Sequence, residues 1–128
     1  MTQAVQPIRP AATIILVREA DKSYEIFMLK RTARASFASG MYVFPGGRVD
    51  GDDHLHKYDA VRFGPTDAQA AQVAALGDEW RGFWIAAIRE TFEEAGLLLA
   101  YAGDQIISFA DRDTRARFAD YRRPLHSG

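Results

Sequence analysis

Residues 81–96 show the pattern of an amphipathic helix, which constrains the fold more than any other part of the chain. At about 100° per residue, one side of this helix collects the side chains that would pack on a sheet. These side chains are Trp84, Ile88, Thr91, Phe92 and Ala95. The opposite side collects three carboxylates, from Glu90, Glu93 and Glu94. Gly96 follows where helices commonly end in a left-handed residue, so we expect a helix over 81–95.

The three carboxylates are spaced i, i+3 and i+4, which makes them neighbours on a helix surface. Like charges at this spacing repel by about 0.2–0.5 kcal/mol per pair, and no lysine lies among them. An ordinary exposed helix face with an excess of glutamate is one explanation. The other is a hard divalent cation, because Mg²⁺ takes oxygen ligands and keeps several waters. Such an ion would orient a diphosphate and lower the pKa of an attacking water.

A second motif, Phe44-Pro45-Gly46-Gly47, precedes the helix in the chain. Glycine permits a positive φ and a close approach of other backbone, and proline restricts the chain that enters the pair. We expect a turn at Gly46-Gly47. In isolation this motif indicates only a hairpin turn, so its weight comes from its combination with the carboxylate-bearing helix.

The rest of the chain contains both strand-like and helix-like segments. Apolar, β-branched or alternating runs predict strands at 11–18, 24–31, 41–44, 48–50 and 97–101. The first two are expected to form a hairpin. A helix is predicted over 68–76, with Asp67 as N-cap and Gly77 at its end, and another over 111–122. The chain of 128 residues is predicted to be a single α/β domain covering 1–128.

Composition narrows the classes of partner. The net charge of −1, from 16 basic and 17 acidic residues, gives no electrostatic case for a nucleic acid polymer or a membrane surface. The absence of cysteine excludes disulfides, thiolate zinc sites and a cysteine nucleophile. Neither a signal peptide in the first ten residues nor an apolar run long enough for a membrane span is recognisable. We therefore expect a cytoplasmic protein that acts on a small molecule.

Together, the two motifs resemble the signature of the Nudix hydrolase family. That signature is Gly, five residues, Glu, seven residues and Arg-Glu-U-x-Glu-Glu-x-Gly-U, where U is a bulky aliphatic residue. The positions that match it are Gly47, Arg89, Glu90, Glu93, Glu94, Gly96 and Leu97. Thr91 stands at an aliphatic position. The first glutamate of the signature falls at Asp53, whose shorter side chain weakens the case for a metal-ligand role there.

Thirty-five residues separate Asp53 from Arg89, where the signature has seven. An insertion at about 51–80 is therefore predicted, and it resembles a Nudix subgroup that includes coenzyme A diphosphatases. A coenzyme A signature of related enzymes is matched in part by Arg31 and Gly40. Its other arginine would fall at Ser36, with Arg34 two residues early. Coenzyme A is therefore one candidate substrate among several.

The resemblance implies a fold, a reaction and a set of residues. The fold would be a Nudix-like α/β/α sandwich around a mixed sheet, and the reaction would be metal-dependent hydrolysis of a diphosphate link in a nucleoside diphosphate derivative, with Mg²⁺ or Mn²⁺ as cofactor. The implied metal ligands are Glu90, Glu93, Glu94 and the Gly47 carbonyl, with Glu90 as ligand or general base. Arg89 would orient a glutamate, and the substrate would be bound by Arg31, Arg34, Gly46 and Gly47.

Departures from the family keep a rival function open. Only 31 residues follow Leu97, so we expect a C-terminally truncated sandwich with an exposed sheet edge that pairs with a second copy as a homodimer. The rival is a catalytically weak Nudix-fold module that binds a nucleotide or docks a partner, which the aspartate at Asp53 also favours. His54 and His56 are expected to be solvated loop residues. A Rossmann domain is excluded because no Gly-x-Gly-x-x-Gly opens a helix.

Overall fold

The chain folds into short strands and three helices over the residues that the structure, a computed structural model, describes: 5, 7–35, 38–54 and 56–122. The strands are β1 (Ala11–Thr13), β2 (Val17–Ala20), β3 (Ser23–Ile26), β4 (Leu29–Lys30), β5 (Tyr42–Val43), β6 (Gly46–Arg48), β7 (Tyr101–Ala102) and β8 (Gln105–Ile106). The helices are α1 (Ala70–Leu76), α2 (Trp80–Ala95) and α3 (Arg112–Ala119). Single 3₁₀ turns lie at Gly51–His54, His56–Tyr58, Asp67–Gln69 and Gly77–Glu79.

The strands pair antiparallel as β1 with β6, β2 with β3, β4 with β5, and β7 with β8. The predicted hairpin is confirmed in β2 and β3, where Val17 lies opposite Ile26. The predicted strand 11–18 is divided into β1 and β2, and the predicted strand 24–31 into β3 and β4. Single backbone hydrogen bonds are formed by residues between these pieces. One such bond runs from the Phe27 N–H to the Leu16 carbonyl at 3.0 Å. The α/β class predicted from the sequence is confirmed in this arrangement.

The prediction of a turn at Gly46-Gly47 was wrong, because both residues lie in β6. They pair with Thr13 and Ala12 of β1, and neither has a positive φ. Glycine is needed here for close approach: a Cβ on Gly46 would overlap the Ala12 carbonyl. The pair of glycines thus lets two backbones meet directly beside α2.

Two further local predictions were wrong. Asp67 is not the N-cap: Thr66 precedes the 3₁₀ turn Asp67–Gln69, and its N–H donates to the Gln69 side chain at 2.7 Å, as in a capping box. The predicted strand 97–101 is reduced to the start of β7 at Tyr101. Residues 97–100 are half-buried without strand pairing. The segment 51–80 holds 3₁₀ turns and α1, and its status as an insertion into a single domain stays a prediction.

Helix α2 forms the core of the described fold, but of its predicted apolar stripe only Thr91 and Phe92 are buried, while Trp84, Ile88 and Ala95 are half-buried. It packs on β1, β6 and the turn Gly51–His54, and it buries Ala86, Thr91 and Phe92 almost completely. Thr91 is tolerated at this apolar position because its Oγ1 donates to the Ala87 carbonyl at 2.7 Å. Gly96 ends the helix with φ of +72°, and its N–H donates to the Phe92 carbonyl at 2.8 Å. The predicted end of the helix is therefore confirmed.

A set of apolar side chains on β2, β3 and the chain around them is exposed. Five of these are Ile15, Val17, Tyr24, Ile26 and Met28, with exposed fractions of 39–71%. The accessible surface of the chain is 10284 Å², about one and a half times the roughly 6,800 Å² that the size scaling of monomers gives for 14.3 kDa. Much apolar surface is thus left uncovered. No helix of the described residues is both long and apolar enough to cross a membrane.

Candidate active site

Arg89 lies at the centre of the candidate site, on the face of α2 that meets β6 and the turn Gly51–His54. Its guanidinium bonds both oxygens of Asp53, with 2.9 Å from Nε to Oδ1 and 3.0 Å from Nη2 to Oδ2. Asp53 is only 1% exposed and also accepts the Asp50 N–H at 2.8 Å. Its hydrogen bonds are therefore directed at Arg89 and the turn, and aspartate is long enough for this role.

The same guanidinium reaches two of the three helix carboxylates. Nη1 lies 3.1 Å from Glu90 Oε1 and 3.1 Å from Glu93 Oε2, while Nη2 donates to the Arg48 carbonyl at 2.9 Å. The hydrogen bond to Asp53 is the main cause that raises the pKa of Arg89 above its ordinary value, against the opposing effect of burial. Arg89 is therefore a permanent cation that orients Glu90 and Glu93 in a partly desolvated site.

The remaining carboxylate, Glu94, faces the glycine strand. The Gly46 N–H donates to Glu94 Oε2 at 3.5 Å, which joins α2 to β6. Burial raises the pKa of Glu94, and the Gly46 N–H and the charge of Arg31 oppose this rise. Burial also raises the pKa of Glu90, where Arg89 opposes it and the other glutamates add to it. Both carboxylates therefore lie where additional positive charge would stabilise their ionised forms.

Gly47 makes the closest approach of backbone to a carboxylate. A Cβ at this position would overlap the Glu90 carboxylate and would lie 2.7 Å from even the farther of its two oxygens. Because Gly47 is fixed in β6 opposite Ala12, the strand cannot easily retreat. Absence of a side chain at Gly47 is therefore a geometric requirement for the position of Glu90.

The two predicted phosphate-binding arginines differ in position. Arg31 is half-buried near Glu94, and its backbone N–H donates to the Met41 carbonyl at 2.9 Å. Its buried Nε has no hydrogen-bond partner among the described groups. Arg34 is exposed, and within the described ranges it forms no hydrogen bond or ion pair with the carboxylates. Ser36, where the coenzyme A signature has an arginine, lies outside the described residues.

Comparisons with known proteins agree with this arrangement of motifs. No protein-family profile matches the chain. An acyl-coenzyme A diphosphatase of Gallus gallus is 37% identical over 62% of this chain and 26% of that protein. A Caenorhabditis elegans protein that is named as a nudix hydrolase is 39% identical over 76% of this chain and 24% of that protein. A solved Nudix hydrolase from Alicyclobacillus acidocaldarius superimposes with a TM-score of 0.60 at 27% identity, over 98% of this chain and 51% of that one.

The chain resembles Nudix hydrolases in both sequence and fold. The likeness to the solved structure also confirms the Nudix-like fold class. The chain spans about a quarter of the length of the curated relatives that it matches. What those whole proteins do is therefore carried to this chain only as a proposal.

The segment before α2 is held against the helix by contacts between charged and aromatic side chains. The Trp80 ring lies between two guanidiniums, 4.7 Å from that of Arg62 and 5.3 Å from that of Arg81. Asp59 joins both arginines, at 2.8 and 3.4 Å, and accepts from His56. The hydrogen bond from Arg62, followed by that from His56, lowers the pKa of Asp59 to about 2. A pattern of charged and aromatic residues at 56–62 and 80–81 was the available signal.

His54 is exposed, as predicted, and its ring also packs against α2. A Cβ on Gly82 would overlap its imidazole, so the ring lies directly on the backbone of α2. Gly82 precedes Arg89 by two helical turns, which is about 10 Å along the axis. His54 therefore docks the turn Gly51–His54 on the helix and lies away from the carboxylates.

The donor set fits a divalent cation that is shared with substrate. As the side chains stand, no three His, Asp or Glu groups in the described part of the chain enclose a metal ion. Mg²⁺ is commonly bound by one or two carboxylates together with substrate phosphates and water. Half-buried Glu90 and more exposed Glu94, both with raised pKa values, lie beside the backbone of β6 and suit that type of site.

Proposed function

We propose that this chain is a Nudix pyrophosphohydrolase domain that hydrolyses the diphosphate link of a nucleoside diphosphate derivative with the help of a divalent metal. The observation that carries the proposal is the convergence of the helix carboxylates on the glycine strand. Arg89 holds Glu90 and Glu93 from one side, and the backbone of Gly46 and Gly47 meets Glu94 and Glu90 from the other.

The metal would be Mg²⁺ or Mn²⁺, since both suit carboxylate ligands. Its ligands would come from Glu90, Glu93, Glu94 and the Gly47 carbonyl. When bound, the ion would neutralise the diphosphate and lower the pKa of an attacking water. The ion pair of Arg89 with Asp53 fixes the arginine that orients two of these carboxylates.

Substrate binding would fall to cationic and backbone donors near the carboxylates. Arg31 is half-buried near Glu94, where two oxygens of a diphosphate would give its guanidinium a bidentate partner. Exposed Arg34 would contact a more distal phosphate. Glu90, whose pKa is raised by burial, would act as metal ligand or general base. Attack of water on one phosphorus would release two phosphorylated products.

Coenzyme A or an acyl-coenzyme A is the substrate class that we favour. The support is the name of the Gallus gallus relative and the partial match of Arg31 and Gly40 to a coenzyme A signature. A small-molecule substrate and a cytoplasmic location stay predictions for this chain.

We also propose that the exposed apolar side chains on β2 and β3 pair with a second copy of the chain. The surface in excess of a monomer of this mass is about 3,500 Å². Permanent homodimer interfaces bury about 2,000–5,000 Å² in total, which is about 1,000–2,500 Å² per chain, so a dimer would cover part of this surplus. Solution scattering tests this: a mass of two chains supports the dimer, and a monodisperse monomer contradicts it.

Activity is tested with a panel of diphosphates: coenzyme A, ADP-ribose, NADH and dinucleoside polyphosphates, each with Mg²⁺ or Mn²⁺. Glu93→Gln is the inactivating variant, and Glu79→Gln, in the exposed turn before α2, is the matched control. Metal-dependent release of two phosphorylated products, lost in the first variant and kept in the second, supports the enzyme.

No turnover together with intact metal binding would favour the second candidate, a catalytically weak nucleotide-binding or partner-docking module. The observation on its side is that the carboxylates do not enclose a metal site as they stand among the described residues.

A further inference from the structure

Arg122 contacts the last turn of α2 from the C-terminal end of the described chain. Its Nη2 donates to the main-chain carbonyl of Glu93. Its Nη1 lies 3.4 Å from the point where a Cβ on Gly96 would stand. Arg122 is half-buried, so its guanidinium lies against the end of the helix and not in open solvent.

This contact supplies a hydrogen-bond donor to a carbonyl at the end of the helix. The last four carbonyls of a helix have no partner within the helix. The Gly96 N–H takes the Phe92 carbonyl, and Arg122 takes the next one, that of Glu93. A cation there also faces the negative end of the helix dipole. The contact is therefore a side-chain cap supplied from 29 residues away.

The same residue, Glu93, is held at both its side chain and its main chain. Its carboxylate accepts from Arg89 at 3.1 Å, and its carbonyl accepts from Arg122. Glu94 follows immediately, with its carboxylate directed at the Gly46 N–H. Fixing the main chain at this point limits the directions that both carboxylates can take.

Helix α3 provides a support for Arg122. Its N-cap, Asp111, accepts the Thr114 N–H at 2.9 Å. Phe118 contacts Phe109 and Tyr121, with ring centroids 5.5 and 6.1 Å apart. The backbone continues past the helix through a bond from the Tyr121 N–H to the Phe118 carbonyl at 3.1 Å. Arg122 thus extends from a segment whose shape is held by local ring contacts and backbone bonds.

We propose that Arg122 is a positioning residue for the metal-binding turn, through which α3 controls the alignment of Glu93 and Glu94. This proposal rests on the proposed function, because the alignment of the carboxylates affects activity only if they bind a cation. The hydrogen bond from Arg122 to the Glu93 carbonyl does not itself depend on metal binding. The two can therefore be tested by different measurements on the same variants.

The experiment compares Arg122→Gln, Arg122→Lys and the exposed control Arg117→Gln. The Mn²⁺ dissociation constant is measured by the electron paramagnetic resonance of free Mn²⁺, and amide hydrogen exchange is followed over residues 93–97. We expect Arg122→Gln to raise the dissociation constant about three- to tenfold, less than the loss of a direct partner of a metal ligand. Exchange at 93–97 should rise with it. Lysine, which can still donate to the carbonyl, should restore most of both, and Arg117→Gln should change neither.

Unchanged Mn²⁺ affinity and exchange in Arg122→Gln would overturn the proposal. So would equal losses in the glutamine and lysine variants that only follow a fall in global melting temperature, because that is the behaviour of a structural contact. If the unmodified chain binds no Mn²⁺, the metal-dependent function fails and the positioning role fails with it. The exchange data would then still report whether the cap exists.

Discussion

Arg89 and Asp53 form a two-bond ion pair between the helix that carries the carboxylates and the turn that follows the glycine strand. The pair joins residues 36 positions apart, and Asp53 is almost fully buried. Two parallel bonds fix the plane of the guanidinium as well as its position. The remaining Nη1 donors are thereby directed at Glu90 and Glu93.

Asp53→Asn should destabilise the fold. Removing one partner of a buried pair leaves the other charge uncompensated, which typically costs about 3–5 kcal/mol. We expect a loss at the lower end, since Arg89 keeps its contacts to Glu90 and Glu93. Urea unfolding measures the change, with the exposed neighbour Asp52→Asn as control. Equal stability of the two variants would show that the ion pair contributes little.

Gly47→Ala should disturb the site more than the fold. The new Cβ would displace the Glu90 carboxylate, and a misplacement of about 1 Å can reduce turnover roughly 100-fold. Gly51→Ala is the matched control, because a Cβ there meets nothing within 4 Å. The measurement is kcat with the best substrate of the panel, beside the melting temperature. Full activity in Gly47→Ala would mean that Glu90 can move without consequence.

The long helix was predictable because its pattern is local. Periodicity predicted the helix and the burial of Thr91 and Phe92, and Gly96 predicted its end, as α2 confirms. Periodicity did not predict that Trp80 and Ala86 are buried more deeply than Trp84 and Ile88. The position of Gly46-Gly47 was not predictable in this way. Whether a pair of glycines turns or extends is decided by its partner, and here the partner is β1, more than thirty residues earlier. The residues that adjoin Gly46-Gly47 in the sequence do not specify that pairing.

The burial of Asp53 also depends on a partner that is distant in the sequence. The segment around it contains several charged residues and has the composition of a solvated loop. Its carboxylate becomes buried only because Arg89 arrives from a distant helix with matching geometry. The spacing of Asp53 after Gly47 was the one signal available, and it pointed to the position without specifying the contact. The overlap of His54 with Gly82 likewise depends on tertiary packing.

The pH dependence of the metal-free chain should show a loss of stability above the ordinary glutamate pKa of 4.5. Burial raises the pKa values of Glu90 and Glu94, so the folded chain binds these protons more tightly than the unfolded chain does. Their contribution to stability is complete below the unfolded-state pKa and is lost as pH rises through the folded-state pKa. Melting temperature against pH measures this, and Glu94→Gln should flatten the curve.

A bound divalent cation should oppose this loss of stability as pH rises. A divalent cation binds the ionised carboxylates, so Mg²⁺ should raise the melting temperature at neutral pH and have little effect below pH 4.5, where Glu90 and Glu94 are protonated. Stabilisation of the same size at both pH values would place the bound metal elsewhere.

The effect of Gly82→Ala on the free energy of unfolding should change sign when the His54 side chain is removed. Alanine in a helix interior is normally more favourable than glycine by about 0.8–1 kcal/mol. Here the added Cβ overlaps the His54 ring, so the single variant should be destabilised as the turn Gly51–His54 is pushed off α2. In a His54→Ala background the obstruction is gone, and Gly82→Ala should stabilise by the helix-propensity amount. Urea unfolding of the four proteins in this cycle gives the coupling energy. Additive effects would show that His54 moves aside freely and does not dock the turn.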